Sequence, residues 1–154
     1  MTDPFARLAE LGLELPPVTA PLAAYVPAVQ TGNHVYVSGQ VPIADGKVLA
    51  TGKVGAEVTT EEAAALARRC ALGALAAVNE LVGLARVVRV VKVVGFVAAA
   101  PGFTDVPLVI NGASELFGEV FGEAGRHARS AVGVAELPRG VPVEVEAIFE
   151  VEAA

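Results

Sequence analysis

The sequence predicts an α+β fold, one mixed β-sheet with two helices packed on one face. Three observations carry that expectation. Two long segments have helical periodicity, and each follows a β-rich stretch. Between them Val87 to Val97 (VVRVVKVVGFV) is nearly all β-branched and too short for a buried helix, so it reads as a central strand. At the end of the chain Val141, Val143, Val145 and Ala147 alternate with Glu144 and Glu146, the period of a strand with one buried face.

At 154 residues the chain has the size of one domain, so residues 1–154 are expected to share a single core, with 1–31 as a lead-in. Asp3 is an N-cap candidate with Pro4 at the first helical position. Phe5, Leu8 and Leu11 follow at spacings of three, so a short helix should end near Gly12. Pro16, Pro17, Pro21 and Pro27 then favour extended chain. Asn33 to Gln40 (NHVYVSGQ) reads as a strand, and Val41 to Ala50 as a turn around Ala44-Asp45-Gly46 with the start of a second strand.

Thr59-Thr-Glu-Glu62 is a capping box that opens a long alanine- and leucine-rich helix fading near Gly83. Pro101-Gly102 breaks the central strand. From Pro107 a second helix places Val109, Ala113, Leu116, Phe117, Val120 and Phe121 on one stripe, and Gly125 ends it. Two strands, about His127–Ala135 and Val141–Val151, close the chain around Glu136–Gly140. The expected order is β-β-α-β-α-β-β, which leaves the second face of the sheet uncovered within the chain.

Composition narrows the function. Aspartate and glutamate number 17 against 11 lysines and arginines, a net charge of −6 that repels phosphate backbones and argues against a nucleic-acid binder. The AVILMFWYC residues make up 54% of the chain, yet no apolar run reaches the length of a membrane span. That surplus points to a face buried against other copies of the chain. One cysteine, Cys70, excludes an internal disulfide and a cysteine metal cluster, and it reads as a buried structural thiol. The N-terminus has no signal-peptide pattern, so a cytoplasmic location is expected.

His34 and His127 have no metal-ligand spacing and read as ordinary strand residues. No phosphate loop, dinucleotide fingerprint or nucleophile elbow is present. Three features stand out. Arg129 shares its strand face with His127, Ala131, Gly133 and Ala135, small neighbours that leave room for a carboxylate held bidentately. An ion pair with Glu144 or Glu146 would explain it equally well. The row Glu144, Glu146 and Glu150 reads as a solvated face, unless one member orients a water molecule. Ser38 and Gly39 end a strand where a ligand could approach the backbone.

Val37-Ser-Gly-Gln-Val-Pro42 and the block Ala128 to Pro138 (ARSAVGVAELP), followed by Val143-Glu-Val-Glu-Ala147, resemble the signature of the RidA/YjgF family of imine deaminases. The similarity runs from about Tyr25 to the C-terminus. Leu13-Glu-Leu-Pro-Pro17, Asn111-Gly-Ala-Ser114 and Gly125-Arg-His-Ala-Arg129 resemble a subgroup labelled YjgF-like or, in older naming, L-PSP endoribonuclease. The resemblance implies a chorismate-mutase-like fold, a homotrimer with clefts between neighbouring subunits, and no metal or organic cofactor. It implies hydrolysis of enamines and imines such as 2-aminoacrylate and 2-iminobutyrate to 2-keto acids and ammonia.

By the same resemblance Arg129 clamps the substrate carboxylate and Glu144 positions the attacking water. Tyr25 stands at the cleft mouth, Ser38 and Gly39 line the pocket, and Asn111 reaches it from the second helix. The archetypal deaminases carry a cysteine where this chain has Ala131, whose backbone could still bind substrate. They also carry Gly-Pro before the tyrosine, where Ala23-Ala24 stands here. A non-catalytic carboxylate binder using the same cleft is the alternative, and an endoribonuclease fits the acidic charge poorly.

Overall fold

The computed structural model describes residues 2–18, 20–21 and 23–154. Helix α1 (Pro4–Glu10) starts where Asp3 accepts a bond from the Phe5 amide at 3.2 Å. Helix α2 (Thr60–Val82) starts on the complete capping box, Thr59 and Glu62 each accepting from the other's amide at 3.1 Å. Helix α3 spans Val106–Phe121, and a tight turn carries it to Gly125.

The main sheet holds five strands: β1 (Ala28–Thr31), β2 (His34–Gln40), β5 (Val87–Ala98), β6 (Ala128–Val134) and β7 (Val143–Val151). Their order is β1-β2-β7-β5-β6. The β5–β6 pair is parallel and the other neighbours are antiparallel, so the sheet is mixed as expected. A parallel pair needs a crossover, and α3 is that crossover. It therefore lies beside the edge strand β6.

One expectation is corrected. The hairpin partner of β2 is β1, upstream of it, while Val41–Ala50 leaves the main sheet. It forms a separate ribbon of β3 (Ile43–Ala44) and β4 (Lys47–Val48). The reason is the turn at Gly32-Asn33, a two-residue link that folds the preceding segment back onto β2. Asn33 therefore belongs to a turn and not to a strand. Pro27 stays just outside the ladder, where its missing N–H costs no pairing.

The alternation along β7 is complete: Val143, Val145, Ala147, Phe149 and Val151 are buried, and the residues between them are half-buried. The buried set faces α2 and α3, where Phe149 meets Phe117 edge-on at 5.7 Å. The two helices pack closely because their contact is built from small residues. A Cβ on Gly112 would stand 2.0 Å from the Ala64 carbonyl oxygen, so only glycine allows α3 this close to α2. Cys70 is fully buried in this layer, and burial pushes its thiol far above the usual range. The opposite face of the sheet is covered by no helix and exposes Val29, Tyr36 and Val132. No described helix is long and apolar enough to cross a membrane.

Candidate active site

Residues paired side by side across a sheet share a face, so the register decides which site residues can meet. Arg129 on β6 pairs with Val93 on β5, which pairs with Ala147 on β7. Val93 and Ala147 are both core residues, so Arg129 points to the helical side. There it donates from Nη1 to Asn111 Oδ1 at 2.8 Å and to Ser114 Oγ at 3.2 Å, and from Nη2 to the Pro107 carbonyl at 3.4 Å. All three acceptors lie on α3, which the crossover holds against the edge strand. Ala131 follows two residues on, half-buried against the core and level with Gly95.

Glu144 belongs to the other face. It pairs with Phe96, and Phe96 with Val132, three residues from Arg129 and thus of opposite orientation. Its carboxylate lies over Gly39, where a Cβ would come within 2.7 Å of Oε2. A side chain at this spot would have to push the carboxylate aside, so glycine lets it settle here. A register shift between Val37 and Gln40 turns the strand here, the mark of a β-bulge. Burial, and secondarily the charge of Glu146, raise the Glu144 pKa above the ordinary carboxylate value.

Glu144, Tyr25, Ser38, Gly39, Gln40 and Pro138 line one cleft of about 210 Å³. The Ser38 hydroxyl donates to the Val26 carbonyl at 2.6 Å and its amide to the Pro27 carbonyl at 2.9 Å. The extended lead-in is thereby fastened to β2, and Tyr25 is set at the rim with half its surface exposed.

The sequence-derived set therefore divides. Tyr25, Ser38, Gly39 and Glu144 come together in one cleft, while Asn111, Arg129 and Ala131 form a second group at the α3–β6 edge. One chain does not bring the two groups into a common cavity. The ion pair considered for Arg129 is absent: neither Glu144 nor Glu146 reaches it, because both point to the opposite face.

Reading the sequence alone took His127 as an ordinary strand residue and gave Ser114 no role, whereas the structure joins both at this edge. Ser114 Oγ lies 2.8 Å from His127 Nε2, and His127 Nδ1 lies 2.6 Å from the Gly125 carbonyl. The signal available in sequence was the i, i+3 spacing of Asn111 and Ser114, which puts both on the same helix face as they approach β6. Among the described residues no cluster of three or more histidine, cysteine or acidic side chains could hold a metal ion.

Comparison with known proteins agrees with this architecture. Residues 5–141 match the family described as "YjgF/chorismate mutase-like, putative endoribonuclease". The chain is 48% identical over 147 residues to Protein TCP17 of Trypanosoma cruzi, covering 94% of this chain and 92% of that protein. It is 35% identical over 140 residues to the 2-iminobutanoate/2-iminopropanoate deaminase of Dermatophagoides farinae, covering 91% and 95% respectively. The crystal structure of a protein of unknown function from Agrobacterium tumefaciens superimposes with a TM-score of 0.88 at 46% identity, over 97% of this chain and 92% of the other. With the mixed sheet, the helical crossover and the signature strand all in place, the chain belongs to the YjgF/chorismate-mutase-like family.

Proposed function

We propose that this protein hydrolyses small enamines and imines that carry a carboxylate, releasing 2-keto acids and ammonia. The observation that carries the reading is the bonding of Arg129. A guanidinium has five N–H bonds, and three are used on Asn111, Ser114 and Pro107. Nε and one Nη2 hydrogen have no partner among the described residues, and such a pair can fork onto a carboxylate. The relative in Dermatophagoides farinae bears the name of that activity, which supports the same reading.

In this scheme Arg129 holds the substrate carboxylate and Asn111 fixes the guanidinium from α3. The imine carbon is already electrophilic, so orientation of a water molecule suffices. The water oxygen bonds to that carbon while Glu144 accepts a water proton. That proton passes to nitrogen to give a carbinolamine. Its hydroxyl proton is then carried to nitrogen as well, the C–N bond breaks, and ammonia leaves as the carbonyl forms. An enamine first moves a proton from nitrogen to its terminal carbon to become the imine. A carboxylate whose pKa is raised by burial is better matched to giving and taking protons near neutral pH than an exposed one. Tyr25 closes the cleft mouth, and Ser38, Gly39 and the Ala131 backbone line it.

The two groups of residues lie apart in one chain, so the working site takes Arg129, Asn111 and Ala131 from one subunit and Glu144, Tyr25, Ser38 and Gly39 from its neighbour. A homotrimer supplies three such clefts and covers the open face of the sheet. Each subunit is one domain, and its place is the cytoplasm.

Ala131, which stands where the archetypal deaminases have cysteine, favours a second reading. A binder of 2-keto acids would keep the arginine clamp without turnover. The test generates 2-iminobutyrate in situ and follows 2-oxobutyrate formation with wild type and Arg129→Ala. Acceleration that falls on the order of 100-fold in the variant supports hydrolysis, as expected for loss of a charged bidentate contact. No acceleration, with 2-oxobutyrate still raising the melting temperature, would favour the binder.

A further inference from the structure

Ser114 stands in the middle of α3, where a serine hydroxyl commonly turns back onto its own helix. Here it bridges two side chains instead. The proton directions can be followed from one fixed acceptor. The Gly125 carbonyl, 2.6 Å from His127 Nδ1, can only accept, so Nδ1 carries the hydrogen. In the neutral ring Nε2 is then the acceptor, and the Ser114 hydroxyl donates to it at 2.8 Å. That commits the only Ser114 proton. Its oxygen lone pairs are left for Arg129 Nη1 at 3.2 Å.

The surroundings hold this order. A Cβ on Gly125 would come within 2.2 Å of the Phe117 carbonyl oxygen, so the turn that presents the terminal carbonyl is pinned to the end of α3. The buried Phe117 ring meets the imidazole edge-on at 5.9 Å and 89°. Burial is the largest influence on the His127 pKa and lowers it. The Gly125 carbonyl opposes this and the nearby Arg129 charge adds to it, with a net lowering that favours the neutral ring at pH 7.

We propose that Ser114 and His127 are positioning residues. They form a one-way relay from guanidinium to hydroxyl to imidazole to the Gly125 carbonyl, which anchors the Nη1 side of Arg129 so that Nε and Nη2 face an incoming carboxylate. The proposal rests on reading Arg129 as the carboxylate clamp. Its work is done through Arg129, without contact to the reacting atoms. Both residues therefore act on affinity for the carboxylate and not on the chemical step.

The experiment titrates 2-oxobutyrate into the full chain by calorimetry, with wild type, Ser114→Ala, His127→Phe, the double variant, Ser114→Thr and Arg129→Ala. His127→Phe keeps a ring against Phe117 and removes both nitrogens. Each single relay variant should weaken binding about tenfold. The double variant should be no weaker than either, because the members act as one unit. Ser114→Thr, which keeps the hydroxyl, should recover what Ser114→Ala loses. With 2-iminobutyrate the loss should appear in KM, with kcat held within about twofold.

Wild-type affinity in both single variants, with binding lost in Arg129→Ala, overturns the relay and leaves the clamp standing. Undiminished binding in Arg129→Ala, or no binding by wild type, removes the clamp and the relay with it. A second measurement needs no variant of the relay. Nitrogen NMR of the His127 ring at pH 7 should show the neutral form protonated at Nδ1, and the opposite tautomer or an imidazolium would refute the proton order.

Discussion

The two halves of the candidate site are built on different principles. At the α3–β6 edge the polar groups are bonded to one another, with Arg129, Asn111, Ser114 and His127 forming a connected set on the helical side of the sheet. In the β2–β7 cleft Glu144 stands over a bare glycine, beside prolines and the lead-in, with its charge penalised by burial. The first half is a hydrogen-bonded set held on rigid secondary structure, and in the proposed reaction it would bind the substrate carboxylate. The second is a half-buried carboxylate with a raised pKa, and in the same proposal it would exchange the proton.

The largest effect should come from the reactive half. Glu144→Gln keeps the size and removes the base, and kcat for 2-iminobutyrate should fall by about 10²–10⁴-fold with KM little changed. A drop confined to KM would move Glu144 from chemistry to binding. Mixing addresses whether the halves meet between chains. Arg129→Ala and Glu144→Gln, denatured together and refolded as mixed assemblies, should regain activity at about one site in four, since both intact groups must face one cleft. No recovery would mean that each chain completes its own site.

A smaller effect is expected from Gly39→Ala. The added methyl must displace the Glu144 carboxylate, and a misplacement of this kind should cost about tenfold in kcat with the fold intact. Unchanged kcat would show that the carboxylate has room to move. The smallest effect is on stability. Because the folded Glu144 pKa is raised, the group's favourable contribution is complete below its unfolded value and is lost as pH rises through the folded one. The melting temperature of Glu144→Gln should therefore gain on wild type between pH 4 and pH 7. A difference that stays flat with pH would contradict the burial of this carboxylate.

Local chemistry made much of the fold legible. The capping box at Thr59 and Glu62 marked the start of α2, the stripe from Val109 to Phe121 marked α3, and the alternation after Val141 marked β7. Each signal is complete within a few residues. The β1–β2 hairpin is not legible in sequence because Asn33 reads as the first residue of a strand and the residues before it as lead-in, although Gly32-Asn33 is the turn that makes the strand pair. Arg129 stood out by its small neighbours, but its partners could not be read from β6. They lie fifteen to twenty-two residues away on α3.

The sequence by itself determined the two long helices, the central and last strands, the acidic charge and the buried stripe of each helix. These depend on periodicity, capping and composition, all properties of neighbouring residues. The family was legible separately, through the resemblance of the segments Val37–Pro42 and Ala128–Pro138 to its signature. Only the tertiary structure decided that Arg129 and Glu144 occupy opposite faces of one sheet, and that Ser114 and His127 stand behind the guanidinium. Facing depends on strand register, and register is set by how α3 crosses from β5 to β6 and by the bulge between Val37 and Gln40. A shift of one residue in either would turn every side chain to the other side. The alternation along β7 records the facing of Glu144, but β6 has no such alternation to record the facing of Arg129.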